Sequence, residues 1–124
     1  MTIAGAVILA SNLNTITESL VINANGLVID GQTSFRGLDI NGSMNVTINE
    51  ITLRQFSGGD GPALISHTGM TTVNKGIFVA NSGSKGGAVR NNAKLNFYLT
   101  EFVQNTSTGE GGAIFNKGTL DITR

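Results

Sequence analysis

Residues 85–92 read KGGAVRNN and residues 110–117 read EGGAIFNK, two nearly identical octets 25 positions apart. A period of 20 to 50 residues marks one structural unit stacked on copies of itself. Extending the small-then-aliphatic signature upstream gives Gly112-Ala113-Ile114, Gly87-Ala88-Val89, Pro62-Ala63-Leu64, Arg36-Gly37-Leu38 and Gly5-Ala6-Val7. The later steps are about 25 to 26 residues, and the first, from Val7 to Leu38, is about 31. A second series runs Ile22, Val46, Val73, Phe97, Ile122, and a third Ile29, Leu53, Phe78, Phe102. Each repeat therefore holds three short strand-like segments separated by turns of Gly, Asn or Ser.

Alternation assigns the faces, because neighbouring strand residues point to opposite sides of a sheet. In the first segment Val7, Leu38, Leu64, Val89 and Ile114 point inward, while Ile8, Asp39, Ile65, Arg90 and Phe115 point outward. The inward column is uniformly aliphatic and the outward one chemically mixed. In the second segment the outward column reads Val21, Asn45, Thr72, Asn96 and Asp121, mostly polar, as a solvated face should be. Three short strands per turn, each turn laid on the last, make an all-β parallel β-helix of about four to five coils of roughly 25 residues. Residues 1–124 form one such repeat segment, expected to be part of a longer chain whose open ends favour self-association or further coils of the same protein. Val89 and Phe102 are expected to be wholly interior.

The octets follow from this geometry. Gly86-Gly87 and Gly111-Gly112 supply backbone freedom at the tight corner into the first strand, where a side chain would clash with the next coil. Asn91 and Asn116 lie two positions beyond inward Val89 and Ile114, so they face inward and stack as hydrogen-bonded amides near the following corner.

Composition agrees. The chain has 124 residues, 40% hydrophobic and only 13% charged, with zero formal net charge. That balance offers no basic field for nucleic acid and no polybasic membrane patch. Seventeen Gly, no Cys, no Trp and one Pro bias it toward turns and strands, and exclude disulfides and thiolate metal sites. The opening MTIAGAVILAS has no Lys or Arg ahead of its short apolar run, and reads as a first strand rather than an export signal.

The stretches FVANSGSKGGAV and FVQNTSTGEGGAI resemble the Phe-x-x-Asn and Gly-Gly-Ala-aliphatic repeats of the polymorphic outer-membrane protein family and related bacterial autotransporter passengers. Phe78, Asn81, Phe102, Asn105, Gly86, Gly87, Ala88, Val89, Gly111, Gly112, Ala113 and Ile114 carry the match. The upstream text is similar to the opening coils of large secreted right-handed β-helix proteins. LRQFSGGDG departs by lacking the motif Asn, and FRGLDI by lacking Gly-Gly-Ala. The resemblance implies a right-handed helix and an adhesin-like, non-catalytic scaffold, extracellular or at the cell surface or outer membrane. Its outward residues, with Ile65, Arg90 and Phe115 as candidate contacts, would meet a host or matrix protein or a glycan.

The other function class is a fragment of a polysaccharide-active enzyme of pectate-lyase-like fold, its catalytic coils outside this segment. Such sites gather two or three carboxylates, often with an Arg or Lys. Here Asp30, Asp39, Glu50, Asp60, Glu101, Glu110, Asp121, Arg54 and Arg90 scatter among different columns, apart from Asp39 and Arg90, which share one with Ile65 between them. No catalytic residue, metal ligand or cofactor is assigned. SGGDGPA reads as a Gly-rich corner rather than a calcium-binding nonapeptide, and His67, the single His, as a solvated turn residue equivalent to Asn92 and Lys117. Asn45 and Asn105 head glycosylation-type tripeptides. Asp60, Lys85 and Glu110 precede equivalent corners and are expected to stack as an exposed charge ladder of alternating sign.

Overall fold

A computed structural model describes residues 6–42 and 44–124, and every regular element in it is a β-strand. The strands repeat in chain order across three faces, and each pairs in parallel with its equivalent one coil away, as a β-solenoid of about five turns of roughly 25 residues. One sheet holds β1 (Ala6–Ile8), β3 (Val28–Asp30), β6 (Thr52–Arg54), β9 (Ile77–Val79) and β13 (Glu101–Val103). A second holds β2 (Leu20–Asn23), β5 (Asn45–Asn49), β8 (Met70–Asn74), β12 (Lys94–Tyr98) and β16 (Thr119–Thr123). The third holds β4 (Leu38–Ile40), β7 (Leu64–Ser66), β11 (Val89–Asn91) and β15 (Ile114–Asn116). A short pair, β10 (Ser82–Gly83) and β14 (Thr106–Ser107), adds a fourth face in the later coils.

The inward columns close the core. Ile40, Leu53, Leu64, Val73, Phe78, Val89 and Leu95 are fully buried, and Ile48 and Phe97 nearly so. Toward the C-terminal coils the filling is aromatic: Phe78 stacks on Phe102 at 5.1 Å, and Phe97 meets both edge-on at 5.8 and 5.0 Å. Offset and edge-on contacts of this kind add about 0.5–1.5 kcal/mol beyond area burial. Val89 is interior as expected, but Phe102 is only partly buried, because it lies in the last coil and has a neighbour on one side.

Register is right where the steps are regular and wrong where they are not. Leu38, Leu64, Val89 and Ile114 align as expected. Val7 does not join them: it pairs with Ile29 and heads the column of Leu53, Phe78 and Phe102. The irregular first interval marked this, since the first coil reaches the third sheet only through an isolated bridge between Ile16 and Ile40. Gly5 lies outside the described residues. In the second sheet Ile22 pairs with Ile48, not Val46, and Val21 with Thr47, not Asn45. Val46 remains inward, at 1% exposure, one inward position earlier in the strand. A slip of two keeps each side chain on its face, so the pattern of polarity could not reveal it.

Corners are set by two devices. Gly86 and Gly111 adopt φ of 75° and 83°, and a Cβ at either would press on the carbonyl of Val89 or Ile114. The other corners place non-glycine residues in the left-handed region: Asn25, Glu50, Lys75 and Leu99 before the first sheet, and Gln32, Thr33, Gln55, Ala80 and Gln104 after it. Their amides continue the ladder around the bend, as when Lys75 N donates to Tyr98 O and Ala80 N to Val103 O. At Glu50 and Gln55 pairing on both sides over-determines the strained conformation, since each amide donates to the next coil and each carbonyl accepts from the preceding one.

Candidate functional site

Two amide stacks at the corners explain the motif asparagines, with Asn81 and Asn91 buried, Asn105 half-buried and Asn116, expected inward, exposed in the last coil. Asn81 is fully buried; its Oδ1 accepts from Phe56 N at 2.9 Å, and its Nδ2 donates to Leu53 O at 3.1 Å and to Asn105 Oδ1 at 2.9 Å. Asn105 Nδ2 donates in turn to Phe78 O. The second stack runs from Asn91 Nδ2 to Asn116 Oδ1 at 2.8 Å, and Asn91 also ties Ala93 N and Thr119 O. These side chains close the corners and are committed to structure. In the coil that lacks the motif Asn, Phe56 fills the slot, fully buried, and its ring occupies the space a Cβ on Gly31 would need, 2.6 Å away.

The outside differs from sheet to sheet. On the second sheet the outward columns are mostly polar: Thr47, Thr72, Asn96 and Asp121 align, and Asn23, Asn49 and Asn74 form a hydrogen-bonded ladder with steps of 2.8 Å. On the third sheet the outward column is Asp39, Ile65, Arg90 and Phe115.

Three contacts organise that face. The Arg90 guanidinium pairs with Asp60 Oδ2, and its Nε donates to Asn92 Oδ1 at 3.2 Å. Asp60 Oδ1 accepts the backbone amide of Lys85 at 3.0 Å. His67 Nε2 lies 3.0 Å from Asp39 Oδ1, an oxygen closed to solvent and without a hydrogen bond of good geometry. Phe115 carries two cations over its ring, Lys85 Nζ at 5.5 Å and the Arg90 guanidinium at 5.6 Å. Both distances fall within cation–π range.

Several sequence expectations change here. The corners of Asp60, Lys85 and Glu110 do stack through their backbones, with Gly61 N donating to Lys85 O and Gly86 N to Glu110 O. Their side chains form no alternating ladder: the Asp60 carboxylate turns to Arg90, and Lys85 turns to Phe115. His67 does sit at the corner equivalent to Asn92 and Lys117, since all three amides donate to the preceding coil. It is not a purely solvated residue, because Asp39 flanks it. Asp30 and Arg54, expected in different columns, occupy the same one and pair at 2.9 Å with Asp30 buried. Once Val28 is aligned with Thr52 this pair is legible; the Asp60–Arg90 pair bridges a corner and a strand, and no column shows it.

Ile65 faces outward yet is only 7% exposed, where it floors a groove with Pro62. Arg90 and Phe115 remain partly open. Among the described residues no three His, Cys, Asp or Glu side chains are grouped to hold a metal ion, and no helix is long and apolar enough to cross a membrane. Asn105 is engaged in the interior, whereas Asn45 is exposed.

No protein-family model, curated protein or solved structure matches the chain.

Proposed function

We propose that this β-solenoid is a non-catalytic, adhesin-like recognition scaffold of the extracellular space or cell surface, and that its contact surface is the outer face of the third sheet. The observation that carries the reading is Phe115, an outward aromatic flanked by Lys85 and Arg90 on the outer face of the third sheet. Arg and aromatic side chains dominate the energetics of protein recognition surfaces. Two of the carboxylates considered for catalysis, Asp30 and Asp60, are occupied by Arg54 and Arg90, which favours a structural use for them. The repeat motifs, which resemble autotransporter passengers, support the same reading.

Binding of the purified chain to immobilised matrix glycoproteins and defined glycans tests it. Arg90→Glu and Phe115→Ser should each weaken binding at least about tenfold, a hot-spot-sized loss, while Asn96→Ala on the second sheet should not. Equal binding by all variants would remove this face from the contact surface. Glycan cleavage abolished by Asp39→Asn and His67→Ala would replace the scaffold with an enzyme.

A further inference from the structure

A groove of about 190 Å³ opens beside the recognition face, between the first-coil segment at Asn12 and Leu13 and a wall formed by Arg36, Asp39, Pro62 and Ile65. It exists because the first coil has no regular strand over the third sheet. The chain instead crosses at Asn12, whose Oδ1 accepts Arg36 N at 2.8 Å, and rejoins the ladder at Ile16. We propose that this groove binds a single neutral saccharide ring, which deepens the recognition reading above and rests on it.

Four observations converge on that ligand class. Pockets for drug-sized molecules span roughly 300–1,000 Å³, so this smaller groove suits one ring. Leu13 on one side, and the edges of the largely buried Pro62 and Ile65 on the other, offer apolar contacts for the C–H groups of a pyranose. Arg36 is exposed, its guanidinium held only by a long 3.5 Å contact to Asp60 O, and so presents donors to ring hydroxyls. Asp39 presents an acceptor: Oδ1 is closed off beside His67, which leaves Oδ2 as the accessible oxygen of a partly exposed side chain. One guanidinium and one carboxylate cancel in formal charge, and the neighbouring Asp60 is already neutralised by Arg90. A hydroxyl donates to a carboxylate and accepts from a guanidinium, so adjacent hydroxyls satisfy both without bringing a charge.

The test is a chemical-shift titration of isotopically labelled protein with the methyl glycosides of glucose, galactose and mannose. At least one should give saturable shifts at the amides of Leu13, Arg36, Asp39 and Ile65, with a Kd on the order of 1–10 mM, the scale a single ring reaches. Arg36→Gln and Asp39→Asn should each raise that Kd at least about tenfold with the remaining spectrum unchanged. If either variant loses its fold, Leu13→Trp, which fills the groove from the other wall, should abolish the shifts in a folded chain. No saturable shift with any of the three glycosides overturns the proposal, and so does tighter binding of glucuronate or inorganic sulfate. Arg90 and Phe115 lie outside the groove lining. Phe115→Ser should therefore leave the saccharide shifts intact, and failure of the wild-type chain to bind any matrix glycoprotein or larger glycan would count against the wider surface and not the groove.

Discussion

Asn81 shows how one side chain closes a coil. Its acceptor and both donors are used on Phe56 N, Leu53 O and Asn105 Oδ1, all within the core. Asn81→Ala would strand two buried backbone groups and leave a void, at a cost of about 2–5 kcal/mol. Chemical denaturation measures this directly, and a loss no larger than that of the outward, half-buried Asn96→Ala would show that the amide stack is dispensable. Thr71 is the opposite case: it occupies an inward position of β8 between Val46 and Leu95, and its hydroxyl has no hydrogen-bond partner. Thr71→Val keeps the shape and removes a buried unsatisfied group, so it should stabilise the protein by about 1 kcal/mol. A destabilised variant would mean that the hydroxyl finds a partner.

At the scale of strands and corners, the apolar residues carried most of the information. Leu64, Val89 and Ile114 could be aligned because a continuous aliphatic column is required wherever every coil must cover the last. Val7 and Val46 could not be placed by that criterion, since an inward aliphatic satisfies more than one column and a shift of two residues preserves its face. The left-handed corners were less visible still. Asn25 and the glycines advertise positive φ, but Glu50, Lys75, Ala80 and Leu99 adopt it through backbone pairing with neighbouring coils, which no local preference encodes. On the outer face, Arg90 and Phe115 were legible as outward residues, whereas the groove was not, because it depends on how Asn12 crosses an irregular first coil. The corner conformation carries its own test. Leu99 has φ of 49° and is 43% exposed, so Leu99→Gly relieves strain while giving up little burial. A gain of about 0.5–1 kcal/mol is expected in thermal or chemical unfolding, and a loss would place the stabilising contribution of this corner in the leucine side chain.

Across the whole molecule, the large exposed apolar residues cluster at the two ends. Val7, Ile8, Leu20 and Val21 belong to the first coil, and Leu99, Val103 and Ile122 to the last, where Ile122 is 57% exposed although its column-mates Val73 and Phe97 are buried. Apolar columns that end uncovered beside unpaired strand edges invite stacking on further strands. The isolated chain should therefore self-associate, with an average mass in sedimentation that rises with concentration and falls back toward monomer in Ile122→Lys. A concentration-independent monomer would contradict this. The proposed recognition face and the groove both depend on the stacking itself, and a spin-label distance tests it most directly. The chain contains no cysteine, so Val21→Cys and Asp121→Cys provide two unique labels. Val21, Thr47, Thr72, Asn96 and Asp121 occupy one outward column, four interstrand steps from end to end. At about 4.8 Å per step the two backbones lie roughly 19 Å apart. Double electron–electron resonance, on protein diluted with unlabelled chain, should return a narrow distribution near that value, broadened only by the label arms; a distance beyond about 30 Å, well outside what stacked coils allow, would contradict the solenoid.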